Sequence, residues 1–384
     1  MNKPRLLFIV GTRPEAIKCA PVIIRFRQDN QLDTRLLTTS QHRALQDEVL
    51  DFFSIPVEHD LNLMRETPDL THLINDAWHG LSHDFQQRKP DMVLVQGDTS
   101  TAFIAALAAY YQKIPVAHIE AGLRTYDKYM PFPEEGNRRM ISAIAELHFA
   151  PTQQARMNLI DEHIKEEQIF VVGNSGIDAL LLAREKVKSD QLKHDLPGLD
   201  STKKLILVTC HRRENWGRNL QDLCLALKQI VQFFPEVQIL FLTHPNPVVS
   251  QAIQNELSGI TSISVGTSVP YGTMVQLLDQ CYMLLTDSGG LQEEAPVLGK
   301  PILVLREKTE RPEGVEQGNA VLVGTNPDKI LPQVERCLND ASFYEQFSRV
   351  SSPYGDGKTS FRIHQMIRCY FGLGEMEQTS SQKS

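Results

Sequence analysis

Cysteine is sparse in this 384-residue chain, and the six present (Cys19, Cys210, Cys224, Cys281, Cys337, Cys369) form no C-x-x-C pair. Neither a disulfide framework nor a thiolate metal site is implied, and the usage suits a reducing compartment. Long apolar runs are missing too. The first, Leu6 to Val10, is too short for a signal-peptide core and leads straight into Gly11-Thr12-Arg13-Pro14-Glu15, so a cytoplasmic location is the expectation. There is no block of lysine or arginine, and the formal net charge is −8, which argues against nucleic acid or an anionic membrane as the main partner. An anionic ligand would need local basic pockets. No G-x-G-x-x-G and no zincin spacing occurs, so no cofactor and no metal is expected.

With 41% hydrophobic and 22% charged residues, the chain has ample material to bury, and its length favours two domains over one core. Short Val/Ile/Leu-rich runs alternate with amphipathic stretches, the pattern of parallel strands with crossover helices. Expected strands in the first half are 5–10, 34–39, 91–96, 115–120, 146–150 and 169–172, with helices over 70–88 and 100–112. After a helix at 177–187, the Lys-, Asp- and Pro-containing text of 189–203 reads as a surface connection. The alternation then restarts, with strands at 204–209, 237–243, 260–265, 283–286, 302–305 and 320–323 and helices at 220–234 and 291–298. A last helix at 360–371 precedes a polar tail, 375–384.

In open parallel sheets ligands bind beyond the carboxyl ends of the strands. Here those positions carry charge. Asp98 follows one strand in Gly97-Asp98-Thr99-Ser100-Thr101, Glu120 closes the next, and Glu134 and Glu135 lie between prolines and an arginine pair in Pro131-Phe132-Pro133-Glu134-Glu135-Gly136-Asn137-Arg138-Arg139. Unpartnered carboxylates are costly to bury, which favours active-site chemistry over core packing. After the first strand, Gly11 permits a tight turn, Arg13 can face an anion, and Lys18 follows a turn later. The alternative is a capped helix with solvated cations.

In the second half, Asp287-Ser288-Gly289-Gly290 follows a strand and opens a helix, where amide groups and the helix dipole can hold phosphate. Glu294, one turn further, could accept both hydroxyls of a ribose. A Ser/Gly cap with first-turn acids Glu293 and Glu294 is the competing explanation. His211-Arg212-Arg213-Glu214-Asn215 suits a diphosphate better than a core, and Arg311 is a further cation. Gly355-Asp356-Gly357-Lys358-Thr359 imitates a P-loop but has Ser352 where the first Gly belongs. His79 and His83 share a helix face without a carboxylate ligand set.

Seven motifs in order, GTRPEAIK at 11–18, GDTST at 97–101, HIEAGLRT at 118–125, PEEGNRR at 133–139, HRREN at 211–215, DSGGLQEEAP at 287–296 and TERPE at 309–313, make the chain resemble the bacterial non-hydrolysing UDP-N-acetylglucosamine 2-epimerases up to about Tyr370. The resemblance implies an α/β fold of two Rossmann-like doubly wound domains around a central cleft, the glycosyltransferase-B type, as a homodimer. The first domain would be 1–173 completed by the C-terminal helix 355–374, and the second 174–354. The implied reaction interconverts UDP-N-acetylglucosamine and UDP-N-acetylmannosamine through 2-acetamidoglucal, for surface polysaccharide synthesis.

By the same resemblance Asp98, Glu120, Glu134 and His211 are catalytic, and Arg13, Lys18, Ser288, Gly289, Gly290, Glu294 and Arg311 bind substrate. Gln41, His42, Glu135, Arg212 and His244 match a second, regulatory UDP-sugar site. The chain departs from the family at 65–68, where Thr67 stands in place of a common basic residue, and at 267–273, where Tyr271 is the aromatic left to stack on the uracil. A glycosyltransferase of the same fold, a hydrolysing epimerase and a non-catalytic UDP-sugar sensor are the alternatives, separated by acceptor transfer, release of free sugar, and binding without turnover.

Overall fold

The computed structural model describes residues 3–40, 43–63, 70–189, 199–212, 215–243, 246–309, 311–350 and 353–374. The chain divides into two compact units, Met1–Leu182 with Tyr354–Ser384, and Ala183–Pro353.

The first unit is built on one parallel sheet of seven strands: β1 Arg5–Val10, β2 Asp33–Thr38, β3 His59–Asp60, β4 Met92–Gln96, β5 Val116–Ile119, β6 Leu147–Ala150 and β7 Ile169–Val171, in the order β3-β2-β1-β4-β5-β6-β7. Every pairing is parallel. In β1, Leu6 through Val10 are all buried. A strand covered on both faces reads as one continuous apolar run, which is why its position could be read directly. The helix Ser100–Tyr111 lays Ala102, Ala105, Ala106, Ala108 and Ala109 in the core. Side chains this small let it lie close to the sheet.

The second unit repeats the plan with β8 Lys204–Cys210, β9 Val237–Thr243, β10 Ile263–Gly266, β11 Met283–Thr286, β12 Ile302–Val304 and β13 Ala320–Leu322, ordered β10-β9-β8-β11-β12-β13. Its pairings are parallel as well. Its core joins Ile206, Val208, Ile239, Phe241, Leu285 and Leu303 to the helix Arg218–Phe233.

Two boundaries differ from expectation. The helix expected over 291–298 is an α-helix at Gly289–Glu294 followed by a 3-10 turn at Ala295–Leu298. Pro296 has no N–H to give the preceding turn. The unit boundary falls inside the helix Ser175–Ser189 rather than before it at 173/174. That helix is tied to the first unit by Asp178, which accepts from the amides of Thr359 and Ser360 and from the Ser360 hydroxyl, all at the start of the C-terminal helix Thr359–Tyr370. The same helix is held by Asp29, which accepts from His364 at 2.9 Å and pairs with Arg368, and His364 packs edge-on against Phe26. The P-loop-like text therefore leads into a structural helix. Within the expected connection 189–203, residues 190–198 lie outside the described residues, as does the tail 375–384.

Candidate active site

In the first sheet the strand order reverses between β1 and β4, so the loops after these two strands open the crevice where such sheets bind ligands. Gly11 ends β1 with no room for a side chain. A Cβ there would lie 2.3 Å from Thr101 Oγ1 and 2.4 Å from Thr39 Oγ1. Thr12 and Thr99 each cap the following helix, Thr12 accepting from the Glu15 amide and Thr99 from the Ala102 amide. Between the two loops sits Glu15, 1% exposed. It accepts from the Gly11 amide at 3.0 Å, Thr12 Oγ1 at 2.8 Å and Thr99 Oγ1 at 2.6 Å. Burial pushes its carboxyl up to about 7, against the pull of those hydrogen bonds.

Two of the expected acids have cation partners. Asp98 pairs with Arg138, and Asn137 Nδ2 donates to the Asp98 carbonyl at 2.9 Å. Glu120 pairs with Lys18. Burial raises the Asp98 carboxyl above its ordinary range; Arg138 opposes the shift and Glu120 adds to it. Glu120 has φ +66°, a backbone conformation that costs a non-glycine residue about 1 kcal/mol. Such outliers persist where the surroundings demand them. Glu134 opens the helix Glu134–Ile144 and keeps one carboxylate oxygen buried with no hydrogen-bond partner among the described residues. Asp98, Glu120 and Glu134 thus stand after β4, after β5 and at the next helix start.

Glu135 and Arg13 have partners within the first unit. Glu135, with no exposed side-chain surface, accepts from the amides of Thr125 and Tyr126 at 3.1 Å and meets Arg138 at 3.3 Å. It therefore holds its own loop. Arg13 lies 3.7 Å from Glu48. Arg124, its side chain without exposed surface, pairs through two nitrogens with Glu162 at 2.8 and 2.6 Å and reaches Ser142 at 3.0 Å. His118 is buried in β5 with Nε2 2.7 Å from the Gly97 carbonyl. Burial pushes its imidazole down to about 3 and that of His148, its neighbour in register on β6, down to about 4.

In the second sheet the order reverses between β8 and β11. Asp287, fully buried after β11, accepts from the amides of His211 and Arg212 and from Asn215 Nδ2. Arg212 Nε donates to the Asp287 carbonyl at 3.2 Å. Arg212 is thereby drawn toward the β11 end. The Ser288 amide donates to Thr286 Oγ1 at 3.0 Å, and Ser288 caps the Gly289–Glu294 helix without a side-chain bond. Arg311 Nε donates to Glu293 at 2.9 Å, so Glu293 is an ion-pair partner and not merely a dipole-matching acid. A Cβ on Gly289 would come within 3.0 Å of the Arg311 guanidinium carbon, whereas one on Gly290 would meet nothing within 4 Å among the described residues. Glu294 is half-buried one turn along. Tyr271 starts the helix Tyr271–Gln280 with 3% of its surface exposed.

Gln41, His42 and His244, and the departure at 65–68, lie outside the described residues. Sequence reasoning left Glu15, Asp287, Arg138 and Asn215 without roles. The Thr12-x-x-Glu15 capping-box spacing was a usable signal for Glu15, and Glu135-x-x-Arg138 for Arg138. Among the described residues no helix is long and apolar enough to cross a membrane, and no group of three or more metal-ligating side chains converges.

Two Rossmann-like units with motif-bearing loops at the reversal point of each sheet place the chain in the glycosyltransferase-B type of fold. A family model for UDP-N-acetylglucosamine 2-epimerase matches residues 24–368. The Yersinia pestis UDP-N-acetylglucosamine 2-epimerase is 45% identical over 369 residues, 95% of this chain and 98% of that protein. The crystal structure of the Neisseria meningitidis UDP-GlcNAc 2-epimerase bound to UDP-GlcNAc aligns with a TM-score of 0.87 at 40% identity, covering 94% of this chain and 99% of that one. The Methanocaldococcus jannaschii enzyme in complex with UDP-GlcNAc and UDP gives 0.78 at 33%, over 95% and 99%. The chain belongs to the UDP-N-acetylglucosamine 2-epimerase family.

Proposed function

We propose that this chain interconverts UDP-N-acetylglucosamine and UDP-N-acetylmannosamine without hydrolysing either, as a cytoplasmic homodimer supplying surface polysaccharide synthesis. The observation that carries the reading is the set of three acids, Asp98 and Glu120 at adjacent strand ends, each joined to a cation, and Glu134 at the next helix start with a buried oxygen unpartnered among the described residues.

The carbon 2 proton of the sugar is next to no carbonyl, so direct deprotonation has no enolate to receive the charge. Elimination avoids this barrier. One carboxylate removes the carbon 2 proton, the C–H electrons form the C1=C2 bond, and the C1–O bond breaks with its electrons leaving on UDP, giving 2-acetamidoglucal. Protonation of carbon 2 from the opposite face and return of UDP to carbon 1 complete the inversion. Two faces require two acid/base groups, for which Asp98, Glu120 and Glu134 are the candidates. Arg13, Lys18, His211 and Arg311 would neutralise the departing diphosphate, and Ser288, Gly289, Gly290 and Glu294 would hold phosphate and ribose.

Proton NMR with UDP-N-acetylglucosamine in deuterium oxide tests this, with no metal or nucleotide cofactor added. UDP-N-acetylmannosamine carrying deuterium at carbon 2 is the expected product. Free N-acetylmannosamine with UDP would instead mean hydrolysis, and binding without conversion would mean a sensor or a transferase.

A further inference from the structure

We propose that Glu15 is a positioning residue for this reaction, its carboxylate locking the loop after β1 to the loop after β4 and so setting where Asp98 presents its acid. The inference rests on the epimerase reading. At 1% exposure Glu15 cannot touch a substrate, so any influence on turnover must pass through its neighbours.

Those neighbours are specific. Glu15 Oε2 receives the Gly11 N–H and the Thr12 hydroxyl, while Oε1 receives the hydroxyl of Thr99, 84 residues away and adjacent to Asp98. Because Thr99 Oγ1 accepts from the Ala102 amide at 3.0 Å, its single proton is left to donate to Glu15. Thr12 does the same for the first helix, accepting from the Glu15 amide at 3.5 Å while donating to its carboxylate. Each threonine thus caps one helix and donates to one shared carboxylate. An ordinary capping box would account for the Thr12 half alone. The bond to Thr99 goes beyond it and spans the reversal point of the sheet. On its other side Asp98 is fixed by Asn137 through its carbonyl and by Arg138 through its carboxylate. Removing the Thr99 bond leaves Asp98 anchored from one side only.

The test is a double-mutant cycle of Glu15→Ala and Thr99→Val, with Thr99→Ser as the conservative rescue, followed by turnover of UDP-N-acetylglucosamine, UDP affinity and hydrogen–deuterium exchange. Each single substitution is expected to lower kcat by about tenfold or more with KM and UDP affinity within about threefold, and the double to fall well short of the product of the two losses. Thr99→Ser should stay within about twofold of the parent. Loss of the Thr99 cap is independent of Glu15 and would multiply, so the shortfall isolates the coupling. Exchange should quicken in both segments, 11–16 and 98–103, in Thr99→Val. Parent-like turnover in Thr99→Val, multiplying losses, or exchange confined to 98–103 would each overturn the proposal. Should Glu15→Ala not fold, the Thr99→Val and Thr99→Ser pair decides. A parent protein that converts no substrate would sink the epimerase reading, while the exchange data would still tell whether Glu15 joins the two loops.

Discussion

Both carboxylate oxygens of Asp287 lie 3.0 Å from the main-chain amide of His211, across 76 residues of sequence. With Arg212 and Asn215 also donating to it, this buried acid shapes the loop after β8 from the end of β11. Asp287→Asn would replace an acceptor oxygen with a donor facing amide groups. The expected result is a loss of about 1–3 kcal/mol in denaturant unfolding together with weaker UDP binding by calorimetry. Parent-like values for both would show that the loop holds its shape without the charge.

Asp98→Asn, Glu120→Gln and Glu134→Gln should each keep UDP binding, and the two residues acting as acid/base groups should lose turnover by about 10²-fold or more. Single-turnover assays in deuterium oxide distinguish them. A residue whose amide variant turns over normally drops out of the proton-transfer pair.

Gly289 and Gly290 make opposite predictions. Gly289→Ala presses its methyl group against the Arg311 guanidinium, so a lowered melting temperature and weakened UDP affinity are expected. Gly290→Ala has open space and should melt at or above the parent temperature. If it nevertheless loses UDP affinity, the open space belongs to the ligand; unchanged affinity would remove Gly290 from the diphosphate site.

The buried histidines predict acid sensitivity. His118 and His148 are held neutral, with folded-state values of about 3 and 4 below the ordinary 6.5. Unfolding therefore takes up protons, and their contribution to stability is complete above pH 6.5 and is lost as pH falls toward those values. Glu15, raised to about 7, works the other way, its contribution being fully present below about 4.5 and lost as pH rises toward 7. Asp98, raised by burial, acts in the same sense as Glu15. His118→Gln isolates one contribution: relative to the parent it should gain about 1.4 kcal/mol of stability per pH unit lowered between pH 6 and pH 4. Parallel stability-versus-pH curves for the two proteins would show that His118 is not held neutral.

The strand ends were legible because strands buried on both faces leave continuous apolar runs, and charge directly after such a run stands out. β9 and β11 fall where the hydrophobic pattern puts them, at Val237–Thr243 and Met283–Thr286. The two-residue β3 is too short to leave a pattern. Tyr271, 3% exposed, is hard to read in another way, since an aromatic at a helix start reads the same whether it faces a ligand or the core.

Residue types at strand ends, read from sequence, determined the kind of chemistry: acids after β4 and β5, a glycine-rich turn and cations after β11 and β8. Which acid does what was decided only in three dimensions. Glu15, Glu120 and Glu135 are the same residue type in neighbouring motifs, yet one clamps two loops, one meets Lys18, and one holds the backbone of Thr125 and Tyr126. The partners of Glu120 and Asp98 lie 102 and 40 residues away. Local sequence sets propensity and periodicity over a few residues, whereas a carboxylate's role is set by the donors, charges and burial that the folded sheet brings around it.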